Sequence, residues 1–93
     1  MDNEEIRARL LLALARRRNW GESHTAYEHL FRQFKSAAMG REGMKRAEKA
    51  ADGLVKDGLI LKKQTHYGLQ VSLNPRRAQE IKNTIKEKLG LEA

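Results

Sequence analysis

Lys45, Arg46 and Lys49 fall within a segment whose apolar residues recur at helical spacing, and on a wheel of 3.6 residues per turn they share the side opposite Met44, Ala47, Ala51, Leu54 and Val55. Cations gathered in this way can neutralise phosphates. Each phosphate so paired releases condensed counterions and adds about 0.9 to the slope of log affinity against log salt. Arg46 alone among them has the planar fork for a bidentate contact to guanine, and the same side carries no Asn or Gln to read adenine. Arg41 stands just ahead of the set. Further along, Lys62, Lys63 and His66 suit phosphate contacts and Tyr67 suits a sugar. A solvated helix face and a solvated hairpin tip would need the same residue types, so both readings remain open at this point.

Other chemistries lack their residues. His24 and His29 are five apart, which does not align two ligands on one helical face, and no Cys or carboxylate cluster completes a metal site. Ser23 beside His24 is adjacent in sequence, which is not the geometry that activates a nucleophile. Gly40 and Gly43 sit between helical segments instead of after a strand, so they do not form a phosphate-cradling loop. No catalytic residue, cofactor or metal is expected, and the chain is not expected to be an enzyme.

The composition agrees with a polyanion partner. Formal charge is +7, hydrophobic residues make up 40% and charged residues 33% of 93 residues, and the isoelectric point is near 10.1. This balance is that of one folded, highly charged domain. Absence of cysteine rules out a disulfide framework. The apolar run Leu10 to Ala15 is too short for a membrane span, follows Glu4 and Glu5 and ends in Arg16, Arg17 and Arg18, so no membrane partner is expected and a cytoplasmic location is the default.

The elements that position the cations follow from spacing. Asp2 or Asn3 caps a first helix with Ile6, Leu10, Ala13 and Leu14 on its stripe, Leu11 and Leu12 widening it until the helix must lie between others. The Arg triplet opposes the dipole at the helix end, and Asn19 and Gly21 supply the stop. A second helix is expected from Ser23–Thr25, with Thr25 and Glu28 as a capping box and Leu30, Phe31 and Phe34 turned inward. Trp20 closes the core. Ala37 to Gly43 forms a turn, and the third helix begins near Gly43 and ends at Lys56-Asp57-Gly58. Two strands follow. Leu59 and Leu61 form the apolar face of the first and Leu69, Val71 and Leu73 that of the second, while Gln70 and Ser72 are surface. Gly68 supplies a positive φ in the intervening loop. Asn74-Pro75 starts a last helix with the stripe Ile81, Ile85 and Leu89, and Gly90 stops it.

This order of helix, helix, turn, helix, hairpin, helix resembles the winged helix-turn-helix proteins, and Leu54-Val-Lys-Asp-Gly-Leu-Ile60 resembles the junction of recognition helix and wing in MarR-like and related small transcription regulators. The resemblance covers nearly the whole chain. It implies an α+β, mainly α, fold with a three-helix core, a two-stranded β-hairpin wing and a C-terminal helix. The helix-turn-helix would span about 24–57, the wing about 59–73 and the last helix about 75–89 of a single domain. It further implies double-stranded DNA as partner, with Lys45, Arg46 and Lys49 presented to the major groove, Lys62 to Tyr67 on the wing, and a nucleoid-associated transcription regulator as the function. A homodimer pairing through the narrow stripe of the last helix would set two such helices about 34 Å apart. Two other roles suit the same pattern: an architectural chromatin protein with little sequence preference, and a winged-helix module for protein–protein interaction.

Overall fold

The computed structural model describes residues 1–35 and 40–93, and places in them an α+β domain whose sheet is three-stranded and antiparallel. Helix α1 (Asn3–Arg16) is its centre. The Asp2 carboxylate accepts a hydrogen bond from the Glu5 backbone N–H at 2.7 Å, satisfying one of the free donors of the first turn. Ile6, Ala8, Leu10, Leu11, Leu12 and Leu14 are all buried, because α1 is covered by α2 (Gly40–Lys56), by α3 (Ala78–Leu89), by a 3-10 segment (Tyr27–Phe34) and by strand β3 (Gly68–Leu73). A stripe this wide is what an enclosed helix requires.

The end of α1 differs from the expected stop. Arg18 takes the left-handed conformation (φ 59°), and the N–H groups of Arg18 and Asn19 close on the carbonyls of Ala15 and Leu14 at 3.0 Å each. That is the Schellman pattern with an arginine where glycine is usual. Gly21 is also left-handed but one turn later, where its N–H binds the Leu73 carbonyl. The same pattern ends α2 with glycine in place: Gly58 has φ 81°, and Leu59 N–H returns to the Leu54 carbonyl at 2.9 Å.

The expected second helix is replaced by two elements. Thr25–Ala26 form strand β1, paired antiparallel with β3 through Thr25↔Val71 and Ala26↔Gln70. The capping box does not form: the Thr25 hydroxyl meets the His29 ring Nδ1 at 2.9 Å, and Ala26 stands at the cap position with no side-chain bond. Tyr27–Phe34 then winds as a 3-10 helix. Its three-residue repeat sets Tyr27 with Leu30 and Phe31 with Phe34, which suits a segment whose apolar pairs are three apart. Leu30, Phe31 and Phe34 are buried as expected, and Tyr27 meets Phe31 edge-on with centroids 5.0 Å apart.

The turn expected over Ala37 to Gly43 lies outside the described residues as far as Met39. Helix α2 begins at Gly40, not near Gly43, so Arg41 belongs to its first turn. Gly43 is buried on the side that carries Ala47, Ala51 and Leu54. It therefore serves close packing instead of breaking the helix.

Strands β2 (Ile60–Thr65) and β3 pair in register from Ile60↔Leu73 to Thr65↔Gly68, giving sheet order β1-β3-β2. The alternation expected in β2 is shifted by one residue. Ile60 is buried at 1% exposure whereas Leu61 is 41% exposed, because Leu59 is taken up in the turn after α2 and the strand proper starts at Ile60. Ser72 and Gln70 are likewise not ordinary surface. Ser72 is buried on the middle strand, with Leu61 of β2 on one flank and the bridge between Trp20 and Leu73 beside it, and Gln70 receives the His24 ring at 3.2 Å. The hairpin turn is as expected at Gly68 (φ 104°), and the Thr65 hydroxyl holds it by donating to the Gly68 carbonyl and accepting from the Tyr67 N–H.

Asn74 caps a short 3-10 turn (Pro75–Arg77) that leads into α3, its side chain accepting from Arg76 N–H and donating to the Gly58 carbonyl at 2.8 Å. Ile81 and Ile85 are fully buried and Leu89 packs against the core. The outer side of α3 carries Lys82, Lys86, Glu87 and Lys88, so the stripe offered to a second copy by the sequence is used within the domain. No helix of the described residues is long and apolar enough to cross a membrane.

Candidate nucleic-acid interface

Burial of Ala47, Ala51 and Leu54 fixes the rotation of α2 and so decides what its other residues meet. Arg41, Lys45 and Lys49 are exposed, and among the described residues none of them is in an ion pair. Arg46 is engaged instead. Its guanidinium donates to the Met1 carbonyl at 2.7 Å and to the Asn3 side-chain oxygen at 3.0 and 3.3 Å, which fastens it to the start of α1. The residue best suited to read guanine is thus turned toward the protein.

A cleft of about 350 Å³ opens between the start of α1 and α2, and Asn3, Arg7, Glu42, Lys45, Arg46 and Lys49 line it. Arg7 is the member that sequence reasoning missed. It lies across α2 to reach the Asp57 carboxylate at 3.0 Å, passing close over Gly53, where a Cβ would stand 3.0 Å from its Nη1. The signal for it was present in Arg7, Gly53 and Asp57, but only a known crossing of the two helices brings them together. Four cations against one carboxylate make this edge of α2 strongly positive.

The other edge of α2 has the opposite sign. Burial, then the Asp52 and Glu48 carboxylates, hold the Tyr27 phenol above its usual value near 10. Lys62 stands over the same ring, its Nζ 5.8 Å from the centroid. Two acids therefore separate the lysines of α2 from the hairpin.

The hairpin residues do not form one surface. Lys62 pairs with Val71 and Lys63 with Gln70, so successive side chains project to opposite faces of the sheet. His66 and Tyr67 occupy the turn, where Tyr67 is 93% exposed. Of the residues singled out from the sequence, the structure brings together Lys45, Arg46 and Lys49, sets Arg41 four residues ahead of Lys45 on the same helix, places Lys62 beyond the acidic strip and Lys63 on the far face, and leaves His66 and Tyr67 at the tip.

The histidines are separated by their partners, His24 to Gln70 and His29 to Thr25. Ser23 Oγ accepts from Asn19 at 3.4 Å, so Ser23 and His24 do not act as a pair. Among the described residues no three His, Asp or Glu gather as metal ligands. No family model, no curated protein and no solved structure matches the chain.

Proposed function

We propose that the chain is a winged-helix domain that binds double-stranded DNA, with α2 as the groove-facing helix and the β2–β3 hairpin as the wing. The observation that carries the reading is the convergence of Arg7, Lys45 and Lys49 on the cleft edge of α2, with both lysines exposed and free of acidic partners among the described residues. The succession of α1, the 3-10 segment, α2, the β2–β3 hairpin and α3, with the Leu54 to Ile60 junction, supports the same reading.

Contact is to phosphate more than to bases. Arg46 is bonded to Met1 and Asn3, and the remaining outward residues of α2 are lysines, Arg41 and acids, which position a duplex without reading its sequence. This favours a protein with little sequence preference over an operator-specific regulator. A duplex meets the cleft edge and the hairpin tip while avoiding Glu48 and Asp52, which repel phosphate.

The test is titration of labelled mixed-sequence duplex with Lys45→Glu and Lys49→Glu, separately and together. Each change is expected to weaken binding at low salt for all sequences alike. Affinity unaltered in the double variant removes α2 from the interface.

A further inference from the structure

A second cationic surface lies outside the interface just described. Where the end of α1 runs beside the 3-10 segment, a groove of about 310 Å³ is lined by Arg9, Arg16, Arg17, Arg32 and His29. Among the described residues no carboxylate lines it. Glu5 approaches only by reaching along α1 to Arg9 at 3.1 Å. Arg16, Arg17 and Arg32 are exposed, and none is in an ion pair among the described residues.

A structural role accounts for part of this. Arg16 and Arg17 stand at the carbonyl end of α1, where cations offset the helix dipole. Arg32 likewise stands in the last turn of the 3-10 segment, but a role at each helix end does not account for the two ends meeting at one groove with no acid among its described lining residues. Position matters too. Arg16 is nine residues beyond Arg7, which at 3.6 residues per turn is about half a revolution, so groove and cleft open on opposite sides of α1.

We propose that this groove takes the phosphate backbone of a second DNA duplex, so that one copy of the chain joins two duplexes. The inference rests on the duplex-binding reading above. Guanidinium groups match phosphate oxygens bidentately and are more weakly hydrated than ammonium, which suits them to a backbone. The floor of the groove is Leu12, 5% exposed, and the small Ala13. It offers no aromatic or large apolar anchor of the kind that dominates protein–protein contacts, and this favours a nucleic-acid backbone over an acidic protein.

Bridging is read by adding the full chain to a bead-bound duplex together with a free labelled duplex of unrelated sequence, at low salt. Label is expected to be retained in proportion to protein. The R16Q/R17Q/R32Q variant is expected to retain at least about tenfold less label, while its affinity for one duplex, measured separately, changes by less than about threefold. Circular dichroism checks its fold, and R32Q alone, outside the α1 cap, gives the same sign by itself. Loss of bridging with single-duplex binding intact also separates the groove from a bridge made by two copies through α2.

Three results overturn the inference: binding of one duplex by the native chain without bridging, bridging by the triple variant equal to that of the native chain, or displacement of the second duplex by polyglutamate in preference to competitor duplex. Failure of the native chain to bind any duplex overturns the α2 reading instead.

Discussion

Arg18→Gly isolates the strain at the end of α1. Arg18 has φ 59°, the one non-glycine at positive φ among the described residues, and its side chain is exposed. A left-handed L-residue costs about 1–2 kcal/mol. Glycine removes that strain but widens the unfolded ensemble, which returns about 0.4–1 kcal/mol, leaving a net gain of about 0.5–1 kcal/mol. For a domain of this size the melting temperature should rise by about 2–8 °C. Urea unfolding is the cleaner assay, since a higher midpoint at unchanged m-value reports stability alone. The reciprocal change, Gly58→Ala, carries the opposite sign at φ 81°: a Cβ there meets only the Arg77 Nη1 at 3.4 Å, the end of a flexible side chain, so backbone strain dominates and the loss is of similar size. A lower midpoint for Arg18→Gly would refute the reasoning, by showing that the arginine side chain contributes more than its backbone costs.

The Tyr27 phenol gives a pH test. Its pKa is raised in the fold, so the unfolded chain ionises first and stability falls as pH rises above about 10, the loss growing until the folded phenol also ionises. Tyr27→Phe should flatten this alkaline decline in denaturation midpoints. Asn3→Ala removes one of the two groups that fasten Arg46, and is expected to tighten duplex binding and steepen the salt slope by up to about 0.9 as the guanidinium becomes available to phosphate. Weaker binding would place Arg46 already on the DNA while bonded to Asn3.

Much of the architecture was legible because its signals are local. Asp2 caps α1, the buried residues of α1 and α2 follow the helical period, Gly58 and Gly90 mark the ends of α2 and α3, and Gly68 marks the hairpin turn at the start of β3, each by its need for positive φ. What was not legible depends on tertiary contact. A two-residue strand has no alternation to read, so Thr25–Ala26 is defined only by β3 beside it. The same missing partner made Thr25 look like a cap, when its hydroxyl goes to His29. Leu59, Ile60 and Leu61 are all strong apolar residues, and the residue at which the strand starts decides which faces the core. The candidate site divides in the same way. The helical wheel found Lys45 and Lys49, but that Arg46 turns back and that Arg7 joins them follows from how α1 crosses α2.

Salt dependence of duplex binding tests the central claim most directly. If Arg41, Lys45 and Lys49 each pair with a phosphate, the slope of log affinity against log salt should be about −2.7, and Lys45→Glu with Lys49→Glu should bring it to about −0.9. Between 50 and 200 mM salt the native chain would then lose roughly 40-fold in affinity. A slope near zero, or a slope that the two substitutions leave unchanged, would contradict a phosphate-binding face on α2.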